Sequence, residues 1–314
     1  MKLVVALGGN ALLRPEQKGT YEEFVENVKV VCRQIRRIVD QGHQVVLTHG
    51  NGPQVGNIAL QQSATDEVPE NPLHVLDAMT QGEIGYLVQR ELGNLLRSSG
   101  SNRPVVSLVT QVVVSPEDSS FKSPSKPIGP FYSEADAKRV GRERGFVIRK
   151  VGRAGDRPYR RVVPSPDPVR IVESDAIAEM LRGGSIVIAG GGGGIPVFRR
   201  QDSEYDGVDA VIDKDLCAEK LAESVGAEVL LILTNVDRVK VDFGTPNERS
   251  LESITVSEAK RLLADGQFPA GSMGPKVTAC IRFVEFGGKM GIIASLEKAL
   301  EALKGSAGTR IVPG

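Results

Sequence analysis

Three lysines stand where they could handle a phosphoryl group. Lys214 lies in Ile212-Asp213-Lys214-Asp215 at an expected helix start, and Lys276 ends the loop Gly271-Ser272-Met273-Gly274-Pro275. Lys126 sits in Pro124-Ser125-Lys126-Pro127. Phosphoryl transfer needs cations around the equatorial oxygens and alignment of the attacking and leaving groups, and it asks little covalent chemistry of the protein. Asp213 and Asp215 could orient those lysines, hold Mg²⁺ directly or through water, or simply cap the helix and complement its dipole. A lone lysine is ordinarily a surface residue. Loops shaped by glycine and proline set these three apart.

Two strand-to-helix turns add donors. Lys2–Leu7 runs into Gly8-Gly9-Asn10-Ala11, and Gln44–His49 into Gly50-Asn51-Gly52-Pro53-Gln54. Small residues at such a turn leave backbone N–H groups pointing outward, where the helix dipole also favours an anion. Glycines alone would serve only a turn with positive φ. The side-chain amides of Asn10 and Asn51 argue for a site that holds one phosphoryl group from two sides. His49 could act as a base, or its ring could bond a loop carbonyl; His43 and His74 read as surface or packing residues. Five glycines, Gly190–Gly194, follow the expected strand Ser185–Ala189 and fit a backbone surface that a ligand approaches closely. The run is not a spaced-glycine dinucleotide fingerprint, and neither a Walker A sequence nor the protein-kinase signature set occurs. No Ser/His/Asp or Cys/His arrangement stands out, which sets hydrolase chemistry aside.

The elements that must position these residues follow an α/β rhythm. Thr20-Tyr21-Glu22-Glu23 reads as a capping box, and Phe24, Val28, Val31, Cys32, Ile35, Ile38 and Val39 form a helical stripe that stops at Gly42. A second helical period spans Pro72–Ser99, and Val105–Thr110 is a strand. Strands that are apolar throughout indicate a parallel sheet covered on both faces. Between Ser115 and Arg170 the character changes: eight of the 18 prolines fall there, with 13 Lys/Arg against 7 Asp/Glu. A helix over Glu134–Arg144 and strands near Phe146–Lys150 and Arg160–Val163 make this a small basic lid standing on the sheet. From Ser185 the rhythm resumes, with helices at Asp213–Val225, Val256–Gly266, Lys276–Phe286 and Glu297–Leu303 and strands at Val229–Thr234 and Gly291–Ala294.

Composition bounds the function. The 314 residues suffice for one large α/β unit or two lobes. Lys plus Arg equals Asp plus Glu at 39 each, so no global field recruits nucleic acid or an anionic membrane. Aromatics are 4% with no Trp, which argues against base-stacking platforms. Cys32, Cys217 and Cys280 lie far apart without pairing or metal spacing. The N-terminus lacks a signal-peptide pattern and no run approaches a membrane span, so a cytoplasmic protein is expected.

At these residues the chain resembles the amino acid kinase superfamily, and within it the branch that phosphorylates carbamate, over essentially its whole length. Ala6–Leu12 and Thr48–Gly56 look like that family's first two loops. Lys126–Tyr132 and Arg161–Pro166 look like its protruding subdomain, and Ile212–Asp215 and Gly271–Lys276 like its nucleotide-side elements. The resemblance implies an open αβα sandwich with a mainly parallel central sheet and a small protruding α+β subdomain. It also implies a lobe for the acid at residues 1–184, including the subdomain at about 115–170, and a nucleotide lobe at 185–314. The implied reaction is reversible transfer between ATP and carbamate, with Mg²⁺ and a homodimer. On that reading Gly8, Gly9 and Asn10 hold the phosphoryl group, and Gly50 and Asn51 hold the carbamate end. Lys126 reaches in from the lid, and Asp215 orients Lys214 and Lys276. Asn235, Asp237 and Met273 join Lys214 and Lys276 on the nucleotide side. The sibling reading is a kinase for another small acid, acetylglutamate-like, or for a nucleoside monophosphate. An oxidoreductase would need the absent fingerprint, and a nucleotide-sensing module would bind without turnover.

Overall fold

The computed structural model describes residues 1–14, 16–65, 67–151 and 155–314, with the side chain of Asn10 also outside the description. The first strand, β1 (Lys2–Leu7), is buried along almost its whole length. Helix α1 (Tyr21–Val39) starts at Thr20, whose hydroxyl accepts the Glu23 N–H while the Glu23 carboxylate accepts the Thr20 N–H at 3.1 Å. That is the expected capping box. Strand β2 (Gln44–His49) pairs in parallel with β1 from Lys2↔Gln44 to Leu7↔His49. This register brings the two glycine turns out side by side at one edge of the sheet. Helices α2 (Gly52–Gln62) and α3 (Leu73–Ser98) follow, then β3 (Val105–Ser107). The strand expected to reach Thr110 stops early, because the chain leaves this sheet and enters a second one at β4 (Gln111–Val114).

The lid is a three-stranded antiparallel sheet of β5 (Lys126–Tyr132), β6 (Ile148–Lys150) and β7 (Tyr159–Val163) in the order β5-β7-β6, with α4 (Glu134–Arg144) beside it. The chain returns through β8 (Pro168–Ile171) and α5 (Ser174–Arg182) to β9 (Ile186–Ile188), which lies between β2 and β3. Strands β10 (Ile195–Arg199) and β11 (Tyr205–Gly207) complete a four-stranded sheet, β11-β10-β4-β8. Strands β9 and β10 thus pair with strands from the first half of the chain and β11 with β10, before α6 (Lys214–Ser224) begins.

Strand β12 (Val229–Thr234) then pairs with the other side of β1. A hairpin of β13 (Lys240–Val241) and β14 (Arg249–Ser250) precedes β15 (Ser253–Thr255) and α7 (Val256–Ala264). After α8 (Met273–Phe286) come β16 (Met290–Ser295), α9 (Ala299–Lys304) and β17 (Thr309–Val312). The main sheet runs β15-β17-β16-β12-β1-β2-β9-β3, parallel except for β16 against β17. Alternate residues of its central strands feed two cores. Val4, Ala6, Leu230 and Ile232 face the side of α6 and α8, while Leu3, Val5, Leu7 and Leu231 face that of α1 and α3. The architecture is the expected αβα sandwich with a protruding subdomain. Strand order reverses direction at β1, and in open α/β sheets the crevice outside the carboxyl ends at such a point is where ligands bind.

Leu231 is fully buried at the centre of the sheet. Leu231→Ala is expected to destabilise the protein by about 2–5 kcal/mol in urea melts, through lost transfer energy and the cavity left behind.

Candidate active site

The site is built around one buried carboxylate. Asp213 caps α6 by accepting the Asp215 N–H at 2.9 Å, which sets Lys214 and Asp215 in the first helical turn. Asp215 is 2% exposed. One of its oxygens takes the Lys214 ammonium, and the other takes Lys276 at 2.8 Å. Lys276 comes from the first turn of α8, which packs along α6. Burial works against charge on Asp215, but the two ammonium groups outweigh it and hold the carboxyl below the usual range. Burial draws Lys214 below the ordinary lysine range despite the pull of Asp215, and Lys276 repels in the same sense. Two cations on one anion leave a net positive charge at the cleft, suited to an anionic group.

The glycine turns meet this cation pair. A methyl group on Gly50 would lie 3.3 Å from the Gly9 backbone and 3.5 Å from Lys214 Cδ, so the turns and the lysine share one corner. The donors differ from those expected. The Gly8 N–H is spent on Leu233 O at 2.9 Å and the Gly50 N–H on Leu7 O at 3.2 Å. These two glycines therefore supply close approach rather than donors. The N–H groups of Gly9, Asn51 and Gly52 find no acceptor among the described residues, and all three residues line the cleft. The expectation for the Asn10 side chain lies outside the described residues.

Behind the second turn lies a buried polar network. Asn51 donates both amide hydrogens into the protein, to Asp77 Oδ1 at 3.0 Å and to Thr80 Oγ1 at 2.8 Å. The side-chain donors expected to hold substrate are thus already committed. Burial pushes the Asp77 carboxyl up to about 8, against the stabilising Asn51 bond. Gln81 bonds the carbonyls of Gly191 and Thr110 at 3.0 and 3.2 Å. Buried His49 turns Nδ1 to the Gly50 carbonyl at 3.1 Å, and burial lowers its pKa to about 4. It is a neutral positioning ring, walled off by Gly191, where a methyl would sit 2.5 Å from Nε2. The five-glycine run is indeed closely approached, but mostly by the protein itself. A methyl on Gly192 would lie 2.3 Å from Asn51 Nδ2, and one on Gly193 would lie 2.2 Å from the Ile212 carbonyl, both at positive φ. Of the five, Gly192 lines the cleft.

The lid closes one wall. Lys126, the first residue of β5, pairs with Asp213 at 3.0 Å, bridging the lid to the start of α6. Arg160 lines the same cleft and holds the Gly129 carbonyl through two nitrogens at 3.1 and 2.8 Å. On the other side of Lys214 and Lys276 the groove continues past Gly8, Arg14 and Thr234 to Asn235. It then opens into a cavity lined by Asn235, Asp237, Arg238 and Lys298. Asp237 pairs with Lys298 at 2.5 Å. Met273 was expected on this nucleotide side; its side chain packs instead against the core of α6 and α8 and lines neither cavity. Sequence reasoning passed over Arg160, Lys298 and the Asp77, Thr80 and Gln81 group. The last three had a signal: polar residues at helical spacing inside the apolar stripe of α3.

Adjoining clefts that share Lys214, Lys276 and Asn235 thus bring two glycine turns, a Lys-Asp-Lys cluster and a polar cavity to the carboxyl edge of a parallel sheet. The chain belongs to the amino acid kinase family, whose model matches residues 1–295. It is 49% identical over 315 residues to carbamate kinase from Pyrococcus furiosus, covering 99% of both chains. It is 47% identical to carbamate kinase from Trichomonas vaginalis over the whole of both. A solved structure of Giardia lamblia carbamate kinase bound to AMP-PNP superposes with a TM-score of 0.93 at 44% identity, covering 100% of this chain and 98% of that one.

Because His49 is buried neutral, the unfolded chain binds its proton more tightly than the folded one. The stability of the wild type relative to His49→Gln is expected to hold above pH 6.5 and to fall as pH drops from 6.5 to 4, by up to about 3 kcal/mol. Paired urea melts across that range check it. A flat difference would mean that the ring is not held neutral.

Proposed function

We propose that the protein is a carbamate kinase, transferring a phosphoryl group reversibly between ATP and carbamate to give ADP and carbamoyl phosphate. The observation that carries this reading is the convergence of Lys214 and Lys276 on Asp215 at the corner where the two glycine turns cross. Carbamate is already an anion, so its oxygen attacks the γ-phosphorus without a general base. The one histidine near the cleft is neutral, bonded to a carbonyl and screened by Gly191. That suits a reaction in which no proton has to be taken from the nucleophile.

In this reading the carbamate end lies beside Gly50, Asn51 and Gly52, and the migrating phosphoryl group lies over Gly9 between Lys214 and Lys276. The β-phosphate and nucleoside follow the groove past Asn235 towards Asp237 and Lys298. As the P–O bond to ADP breaks, negative charge grows on the leaving oxygen and on the transferring group, and the two ammonium groups are already in place to receive it. Asp215 fixes both and needs no rearrangement during the step. Lys126 exchanges its hold on Asp213 for the anionic substrate when the lid closes on it.

Among the described residues no group of three or more His, Cys, Asp or Glu forms a metal cage, and Asp213 and Asp215 are each engaged by lysine. In this reading Mg²⁺ would enter with the nucleotide as its phosphate-bound counter-ion, the usual mode for this ion. No helix among the described residues is long and apolar enough to cross a membrane. A cytoplasmic homodimer fits the neutral composition and the family.

A coupled assay of ATP formation from carbamoyl phosphate and ADP tests the function; turnover with acetylglutamate or a nucleoside monophosphate instead would make it a sibling kinase. Lys276→Ala and Lys214→Ala should each lower kcat by about 10² or more, as expected for loss of one positioned charge. Thermal melts should show both variants folded. Full turnover in either would remove that lysine from the site.

A further inference from the structure

The buried bonds of Asn51 decide which of its polar atoms faces the substrate. Thr80 Oγ1 donates its single hydrogen to the Asp77 main-chain carbonyl at 2.8 Å, so towards Asn51 it can only accept. The Asn51 atom 2.8 Å from it must then be the amide nitrogen. The second hydrogen of that nitrogen goes to Asp77 Oδ1 at 3.0 Å. Both donors are used, and the residue is 4% exposed. What remains is the carbonyl oxygen, which has no protein partner among the described residues and is not among the enclosed unpartnered atoms. Asn51 lines the cleft, so an acceptor is what it shows there. Gly192 packs against the same amide, and any larger residue would push it out of place.

A carboxylate or phosphoryl oxygen cannot bond an acceptor; an N–H can. The geometry points to Asn51 Oδ1 as the acceptor for the amino group of carbamate and carbamoyl phosphate, with Thr80 and Asp77 as the positioning residues that lock the amide in this orientation. This inference rests on the proposed function and adds the basis of its selectivity. An acyl phosphate with a methyl group in place of the amino group leaves that acceptor unpaired, which a buried polar site penalises. The backbone N–H groups of Asn51 and Gly52 then serve the oxygens of the substrate, so that donors and acceptor address opposite ends of a small planar molecule.

The test compares ATP formation from ADP with carbamoyl phosphate and with acetyl phosphate, in wild type, Asn51→Leu, Thr80→Val and Thr80→Ser, with melts as a folding control. Wild type should favour carbamoyl phosphate in kcat/KM. Asn51→Leu and Thr80→Val should cut that preference about tenfold, the scale of one neutral hydrogen bond, with the KM for ADP unchanged. Thr80→Ser, which keeps the hydroxyl, should retain the preference. Equal losses on both phosphoryl donors would overturn the assignment, as would a Thr80→Ser variant as unselective as Thr80→Val. If the variants do not fold, the wild type still decides: equal use of the two donors excludes an amino-group acceptor. No turnover of carbamoyl phosphate at all would instead strike the functional reading itself, and this inference would fall with it.

Discussion

Two partly buried ammonium groups held by one buried carboxylate are the interaction on which the site depends. A lone lysine at the position of Lys214 would be desolvated and driven towards its neutral form. Asp215 opposes that pressure on Lys214 without overcoming it, and it ties Lys214 and Lys276 to one carboxylate. Leaving either ammonium unpaired in such surroundings costs about 3–5 kcal/mol. The arrangement is thus both a structural tie between the first turns of α6 and α8 and a ready receptor for negative charge. Its position follows from the sheet: β1 and β2 are parallel neighbours, and their carboxyl ends deliver both glycine turns to the same corner.

The rest of the site is shaped by exclusion. Each glycine from Gly190 to Gly194 is occupied from outside by something that a side chain would displace: the Leu221 and Cys217 side chains, the His49 ring, the Asn51 amide, the Ile212 carbonyl and the Val112 side chain. The run is therefore a mould that sets His49 and Asn51, and only indirectly a surface for ligand. Thr48, Gln81 and Thr110 then bond the carbonyls and N–H groups this backbone exposes to the interior. The polar groups left over at the cleft include the N–H groups of Gly9, Asn51 and Gly52, the Asn51 side-chain carbonyl and the lysines.

The parallel sheet, the lid and the main helices were legible because each has a strong local signal. Continuous apolar strands, the Thr20 capping box and the proline-rich basic segment are patterns within a few residues. The lysines were legible through the odd loops around them. The direction in which a backbone N–H points is not local. Gly8 and Gly50 look like donors in sequence, yet strand pairing with Leu233 and Leu7 claims their hydrogens. Met273 was placed by its neighbours in the loop, but its apolar side chain turns into the core as α8 begins. The insertion of β9 between β2 and β3, strands made much earlier, has no local signal either. Asp77 and Thr80 act on Asn51 from 26 and 29 residues away, a distance no short motif spans.

The most direct measurement is a crystal structure with ADP, Mg²⁺, carbamate and a planar fluoride mimic of the migrating phosphoryl group. The account expects the mimic over Gly9, with the ammonium groups of Lys214 and Lys276 both within hydrogen-bond distance of its fluorines and Asp215 still holding the pair. A mimic bound in the groove with either lysine turned away, or with Asp215 released from both, would contradict it.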